Sequence, residues 1–137
     1  MRKVPRIKSV MTPFPYSIAP SASLEDAKGM MDQHDIRHLP VCEGPEVVGI
    51  LSARELRVGR NLGEDRALTV KEVCTLEPLL VDLEEPLDQV TAKMAEARIG
   101  CAIVRRAGKL AGILTTTDVC RLLSKVLSDD TPGDDVA

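Results

Sequence analysis

Aromatic side chains are nearly missing from this sequence, which has one Phe, one Tyr and no Trp in 137 residues. Its core must therefore be packed from Val, Leu, Ile, Ala and Met, and the flat side chains on which nucleobases stack in single-strand binders are almost absent. An excess of positive charge is also missing, with 18 Lys and Arg against 21 Asp and Glu. A formal charge of −3 and a pI near 5.4 argue against a general nucleic-acid binder, which carries a net basic face. No run approaches the roughly 18 apolar residues of a membrane helix. Met1-Arg2-Lys3 leads to Pro5 and Lys8 and not to a signal-like apolar block. These features predict a cytoplasmic protein that engages neither membrane nor nucleic acid.

Catalytic and metal-binding patterns are missing too. Cys42, Cys74, Cys101 and Cys120 are widely spaced, with no C-x-x-C pair and no His beside a Cys, so no zinc site is expected and the thiols should be free. The two histidines, His34 and His38, cannot be assembled with the scattered cysteines into a nucleophile with its base. The expectation is a protein that is not an enzyme and needs no cofactor.

What the sequence does contain is a duplication. Sliding the chain by 63 residues places Lys8, Val10, Thr12 and Pro15 on Lys71, Val73, Thr75 and Pro78, without a gap. Leu24, Met31, Ile36 and Val41 fall on Leu87, Met94, Ile99 and Val104, and Gly49-Ile50-Leu51 falls on Gly112-Ile113-Leu114. Each copy changes period in the same order. Ser23-Leu24-Glu25-Asp26 has the form of a capping box, and Leu24, Ala27, Met31 and His34 then step at helical spacing. Leu87, Val90, Met94 and Ala97 repeat that stripe, and the acidic Asp82, Glu84 and Glu85 before Pro86 suit the positive end of the helix dipole.

A strand, a tight turn and a strand follow in each copy, His38 to Cys42 and Val47 to Leu51, then Cys101 to Val104 and Leu110 to Leu114. Second helices are predicted from Ala53 to about Arg57 and from Thr116 to about Leu127. Each half reads as β-α-β-β-α, of mixed α/β (α+β) class. Halves this small bury too little surface to stand alone, so they should pack together. The expected division is a first repeat over 4–60, a polar glycine-containing linker over 61–67, a second repeat over 68–127 and a disordered acidic tail over 128–137.

With that order established, Val10-Met11-Thr12-Pro13, Arg37-His38-Leu39-Pro40-Val41 and above all Gly112-Ile113-Leu114-Thr115-Thr116-Thr117-Asp118 resemble the motifs of a tandem CBS-domain pair, or Bateman module. The resemblance covers roughly residues 4 to 127. It implies two repeats in pseudo-two-fold packing with two ligand clefts, an adenosyl ligand such as AMP, ADP, ATP or S-adenosylmethionine, a homodimer, and a regulatory role exerted on a protein partner not named by the sequence. By that analogy Asp118 accepts from ribose hydroxyls, Thr115 and Thr117 turn hydroxyls toward ribose or phosphate, and the backbone at Leu80, Val81, Ala102 and Ile103 faces adenine.

Chemistry agrees with the analogy where a helix start offers free N–H groups to a phosphate and a carboxylate accepts from two hydroxyls of a diol. A helix cap with no ligand is the competing reading of Thr115-x-x-Asp118. The first repeat has Glu55 where the family usually has Asp, completing a Ser52-x-x-Glu55 capping box. A second, weaker cleft is assigned to Thr12, Ser17, Ile18, Ser52, Arg54 and Glu55. Arg37 and His38 occupy strand positions that meet phosphates in some relatives, whereas the second copy has Gly100 and Cys101 there, so Arg37 or His38 could meet a phosphate held near Asp118. Two other readings stay open: a ligand-free assembly module, and a thiol-based sensor using Cys42, Cys74 or Cys101.

Overall fold

A computed structural model describes residues 4–63 and 67–129. After a short 3-10 turn at Ile7–Ser9 the first repeat contributes β1 (Thr12–Pro13), α1 (Leu24–His34), β2 (His38–Glu43), β3 (Glu46–Ser52) and α2 (Ala53–Leu62). The second contributes α3 (Val70–Val73), β4 (Leu79–Asp82), α4 (Leu87–Ala97), β5 (Cys101–Arg106), β6 (Lys109–Thr115) and α5 (Thr116–Asp129).

Local chemistry accounts for the helix ends. The Ser23 hydroxyl accepts from the Asp26 N–H at 3.0 Å and starts α1. The stripe Leu24, Ala27 and Met31 is buried as its spacing predicts, and so are Leu87, Val90 and Met94 on α4, although Ala97 faces solvent. Asp35 and Arg98 end these helices at equivalent positions with φ of 52° and 56°, a left-handed conformation that turns the chain toward the next strand. His34, at the end of the α1 stripe, stacks on Tyr16 with ring centroids 3.7 Å apart. The acidic group before α4 serves the turn: the Glu84 N–H donates to Asp82, the Asp82 N–H donates to Glu85, and Glu85 pairs with Lys93 at 2.8 Å.

The helix after β3 differs from expectation. It continues past Arg57 to Leu62, into the stretch expected to be linker. Gly59 is the reason. It is buried in the helix, and a Cβ there would lie 2.6 Å from Val73 Cγ1, so glycine permits close packing of α2 on α3 and does not break the helix. Arg60 pairs with Glu25 at 3.0 Å and ties the same turn to α1. Of the expected linker, 64–66 lie outside the described residues. Of the expected tail, Ser128 and Asp129 continue α5, and 130–137 lie outside the described residues.

Two sheets form, one of four strands in the order β1-β6-β5-β4 and one of β2 and β3. β1 belongs to the first repeat by sequence, yet it pairs with β6 of the second, Thr12 opposite Ile113. The exchange is reciprocal. Thr75 bridges Ile50 of β3, with backbone hydrogen bonds of 2.9 Å in both directions. The cores follow the same exchange: Ile7 is buried with Val81, Leu87, Val90, Met94 and Leu114, while its counterpart Val70 is buried with Leu24, Met31, Leu39 and Leu51. A third apolar layer, Cys101, Ile103 and Ile113 with Val47, Ile50 and Leu80, joins the repeats.

Glycine is required where the exchanged segments cross. A Cβ at Gly49 would lie 2.7 Å from the Thr75 carbonyl oxygen, and one at Gly112 would lie 2.9 Å from that of Thr12. Since those oxygens are backbone, the strand itself would have to shift. Gly49→Ala is expected to cost about 2 kcal/mol of unfolding free energy in urea titration, as overpacking does. Gly29→Ala, with nothing within 4 Å of the new Cβ, is the control that should lose nothing.

Candidate functional site

The exchange brings one residue of each repeat to the same point. At the β6–α5 junction, Asp118 Oδ2 accepts from the Thr115 N–H at 2.8 Å and the Thr115 hydroxyl at 3.0 Å, while Thr115 Oγ1 accepts from the Asp118 N–H at 3.2 Å. The expected capping box is therefore formed, but it occupies one carboxylate oxygen. The other, Oδ1, has only the Thr12 hydroxyl and an Arg121 N–H, each at 3.5 Å, against about 2.7–3.0 Å for a well-made bond. Asp118 is 7% exposed, the one buried charged side chain among the described residues.

Asp118 lines a cavity of about 460 Å³ with Ser9, Val10, Arg121, Lys125 and Asp129. That size lies within the range of small-ligand pockets. Arg121, Lys125 and Ser9 were not anticipated from the sequence. The signal was present for the first two, which follow Asp118 at i+3 and i+7 and so share its helix face.

The first repeat holds the counterpart. Glu55 Oε1 accepts from the Ser52 N–H at 2.9 Å, the Ser52 hydroxyl accepts from the Glu55 N–H at 3.1 Å, and Glu55 Oε2 accepts from the Thr75 hydroxyl. Thr12, placed by sequence with the first-repeat set, thus sits with Asp118, and Glu55 takes Thr75 instead. The strand exchange is the cause. Of the other residues in that set, Ser52 caps α2, Arg54 is exposed beside it, and Ile18 bridges Val41 with its side chain in the core. Ser17 places its hydroxyl by the Cys42 thiol.

Thr117 is exposed on the first turn of α5. β5 lies between β4 and β6, so the backbone groups of Ala102 and Ile103 face strands on both sides, and Leu80 and Val81 lie on the edge strand β4. The Val81 and Ala102 side chains are buried in the second-repeat core, whereas Leu80 and Ile103 point into the layer between repeats. His38 pairs with Ser52, and the Arg37 carbonyl accepts from the Ala53 N–H, which sets both next to the Glu55 turn. No hydrogen bond or ion pair among the described residues joins either of them to Asp118.

Burial lowers the His38 pKa, Glu55 opposes that shift, and Arg37 adds to it, so the imidazole is neutral at pH 7 and above. Burial raises the Cys42 and Cys74 thiols, the Ser17 hydroxyl partly offsetting this for Cys42 and Glu55 adding to it for Cys74. Cys101 is pushed up to about 12 by burial, with Asp118 adding to the shift. A sensor thiol needs its thiolate, so these three positions are poorly suited to that role. No group of three or more His, Cys, Asp or Glu side chains among the described residues could hold a metal ion, and no helix among them is long and apolar enough to cross a membrane.

Comparison with known proteins gives one consistent result. A family model of the CBS domain matches residues 7–58 and 70–125. Inosine-5'-monophosphate dehydrogenase of Korarchaeum cryptofilum is 30% identical over 119 residues, 86% of this chain and 24% of that protein. The chain spans about a quarter of the length of the curated relatives it matches first. The CBS domain pair of protein MJ0100, solved with 5-methylthioadenosine and S-adenosyl-L-methionine, superposes with a TM-score of 0.79 at 25% identity, covering 90% of this chain and 98% of that one. CBSX2 of Arabidopsis thaliana, solved with AMP, gives 0.75 at 25% identity over 89% and 98%.

Proposed function

The chain belongs to the CBS-domain family, and on that premise we propose that it is a regulatory module that binds an adenosyl ligand between its repeats, carries out no chemical step of its own and signals through a partner. The observation that carries the proposal is the underused oxygen of Asp118. A ribose hydroxyl donating to Oδ1 at ordinary length would replace two contacts at the limit of hydrogen bonding, one of them to an arginine whose side chain is 74% exposed. Relatives solved with AMP or S-adenosyl-L-methionine support the ligand class.

Arg121 and Lys125 narrow it. The lining carries Arg121 and Lys125 together with Asp118 and Asp129; with Asp118 given to the ribose the cations outnumber the remaining anion, which favours a phosphate over a sulfonium and so an adenine nucleotide over S-adenosylmethionine. The ligand would touch Thr12 of one repeat and Asp118 of the other. Any preference it has for one relative orientation of the repeats then becomes a signal that a partner protein can read.

Titration calorimetry and thermal unfolding with AMP, ADP, ATP and S-adenosylmethionine test this on the whole chain. Wild type held at 100 times its dissociation constant should gain about 2.7 kcal/mol, a shift on the order of 10 °C. Asp118→Ala should lose about a hundredfold in affinity, the worth of two hydrogen bonds to a charged acceptor. Folded wild type that answers none of the four ligands would sink the proposal.

A second reading, assembly without a ligand, has one observation in its favour. Leu87, Val119, Leu122, Leu123 and Val126, with Asp88 beside them, line a largely apolar groove on the α4–α5 face, where the first repeat instead presents Arg57 and Arg60. That face is suited to a homodimer.

A further inference from the structure

The two carboxylates at the repeat junctions are equivalent in position and opposite in state. Asp118 has one oxygen held at full strength and one held only at 3.5 Å. Both oxygens of Glu55 are taken, Oε1 by the Ser52 N–H of its own repeat and Oε2 by the Thr75 hydroxyl of the other. The additional methylene of Glu accounts for the difference, because it carries the carboxylate far enough to cap its helix and reach across the junction together. A ribose arriving at the first junction would have to share each Glu55 oxygen with a donor already in place, where Asp118 offers an oxygen whose contacts are both at 3.5 Å.

The helix faces differ in the same sense. Arg121 and Lys125 correspond to Val58 and Leu62, which are 52% and 78% exposed. A phosphate at the first junction would find neither cation on α2 and would depend instead on Arg37 and Arg54 beside the Glu55 turn.

We infer that Glu55 acts as a built-in occupant of the first cleft, latching it to Thr75, so that the chain takes one phosphate-bearing adenosyl ligand, at Asp118, and not two. The inference rests on the ligand reading above and adds to it which cleft is used and what closes the other. It also gives the latch a purpose. With one junction fixed by the protein's own carboxylate, a single ligand at the other decides how the repeats sit.

Calorimetric stoichiometry with AMP distinguishes the cases. The wild type should bind one AMP per chain and Asp118→Ala should bind none with comparable affinity. The triple variant Glu55→Asp, Val58→Arg, Leu62→Lys copies the second cleft onto the first, and it should bind two, the new site at least tenfold tighter than any residual wild-type binding there. Adding Asp118→Ala to the triple variant should return the count to one.

Two sites in the wild type, or one site in a folded triple variant, overturns the inference while leaving the ligand reading intact. No binding by the wild type with binding by the triple variant overturns the ligand reading and the count of one with it, and leaves only the latch at Glu55 standing. Silence from both proteins overturns both. Should the triple variant fail to fold, Glu55→Asp alone titrated with adenosine, which needs no cation, serves the same purpose. A site gained supports the latch, and none gained overturns it.

Discussion

Leu51→Ala and Leu114→Ala should each remove about 3 kcal/mol of stability, and each should do so by moving one unfolding transition of the entire chain. Both side chains are fully buried, Leu51 in the first-repeat core and Leu114 in the second. Truncation loses the transfer free energy of the deleted carbons and leaves a cavity that close-packed neighbours fill only in part. The single transition follows from the exchange of leading segments. Ile7 is buried in the second core and Val70 in the first, so neither core is complete without a residue from the other repeat.

Against a total of roughly 5–15 kcal/mol, the two substitutions together would leave the fold marginal or lost. Urea titration followed by circular dichroism measures both points. A biphasic curve, in which the substituted repeat melts first and the other keeps its original midpoint, is the result incompatible with the exchange. Two modules joined only by a linker would behave that way.

That exchange was the main feature the sequence did not disclose. The duplication offered two samples of every helix and hairpin, which is why Ser23, the Leu24-Ala27-Met31 stripe, the two hairpins and the Ser52–Glu55 and Thr115–Asp118 boxes could all be read locally. β1 is two residues long and has no period to read. Thr12 and Thr75 look like loop residues, and only the fold shows that each donates to a carboxylate in the other repeat. Gly59, two residues past the expected end of its helix, gives no local sign of the close approach of two helices that it permits. Arg121 and Lys125 were legible as neighbours of Asp118 by spacing, but their bearing on a ligand depends on Ser9 and Val10 packing alongside, 109 and 108 positions from Asp118 in sequence.

Raising the pH from 8 to 11 should cost the wild type about 3 kcal/mol more than it costs Cys101→Val. The Cys101 thiol is held at about 12 in the fold, against 9.0 for an unperturbed thiol, first by burial and second by Asp118. Between those two values the unfolded chain releases a proton that the folded chain retains. The folded state thus binds more protons, and stability falls as pH rises through 9 toward 12. At pH 11 the loss is set by the ratio of 1 + 10^(pH − pKa) in the unfolded state to that in the folded state, nearly two decades or about 3 kcal/mol.

Valine has no proton to release, so the two stability–pH curves should diverge above pH 9 and run parallel below it. Curves parallel throughout would mean that the thiol reaches solvent in the folded state. Asp118→Asn tests the second cause, since it should reduce the divergence without removing it. The position matters for the site because Cys101 is the counterpart of His38, and burial keeps both uncharged at neutral pH. A carboxylate beside a neutral thiol meets no competing anion there. The arriving ligand then faces Asp118 for its hydroxyls and Arg121 and Lys125 for its phosphate, a division of charge that a thiolate at Cys101 would blur.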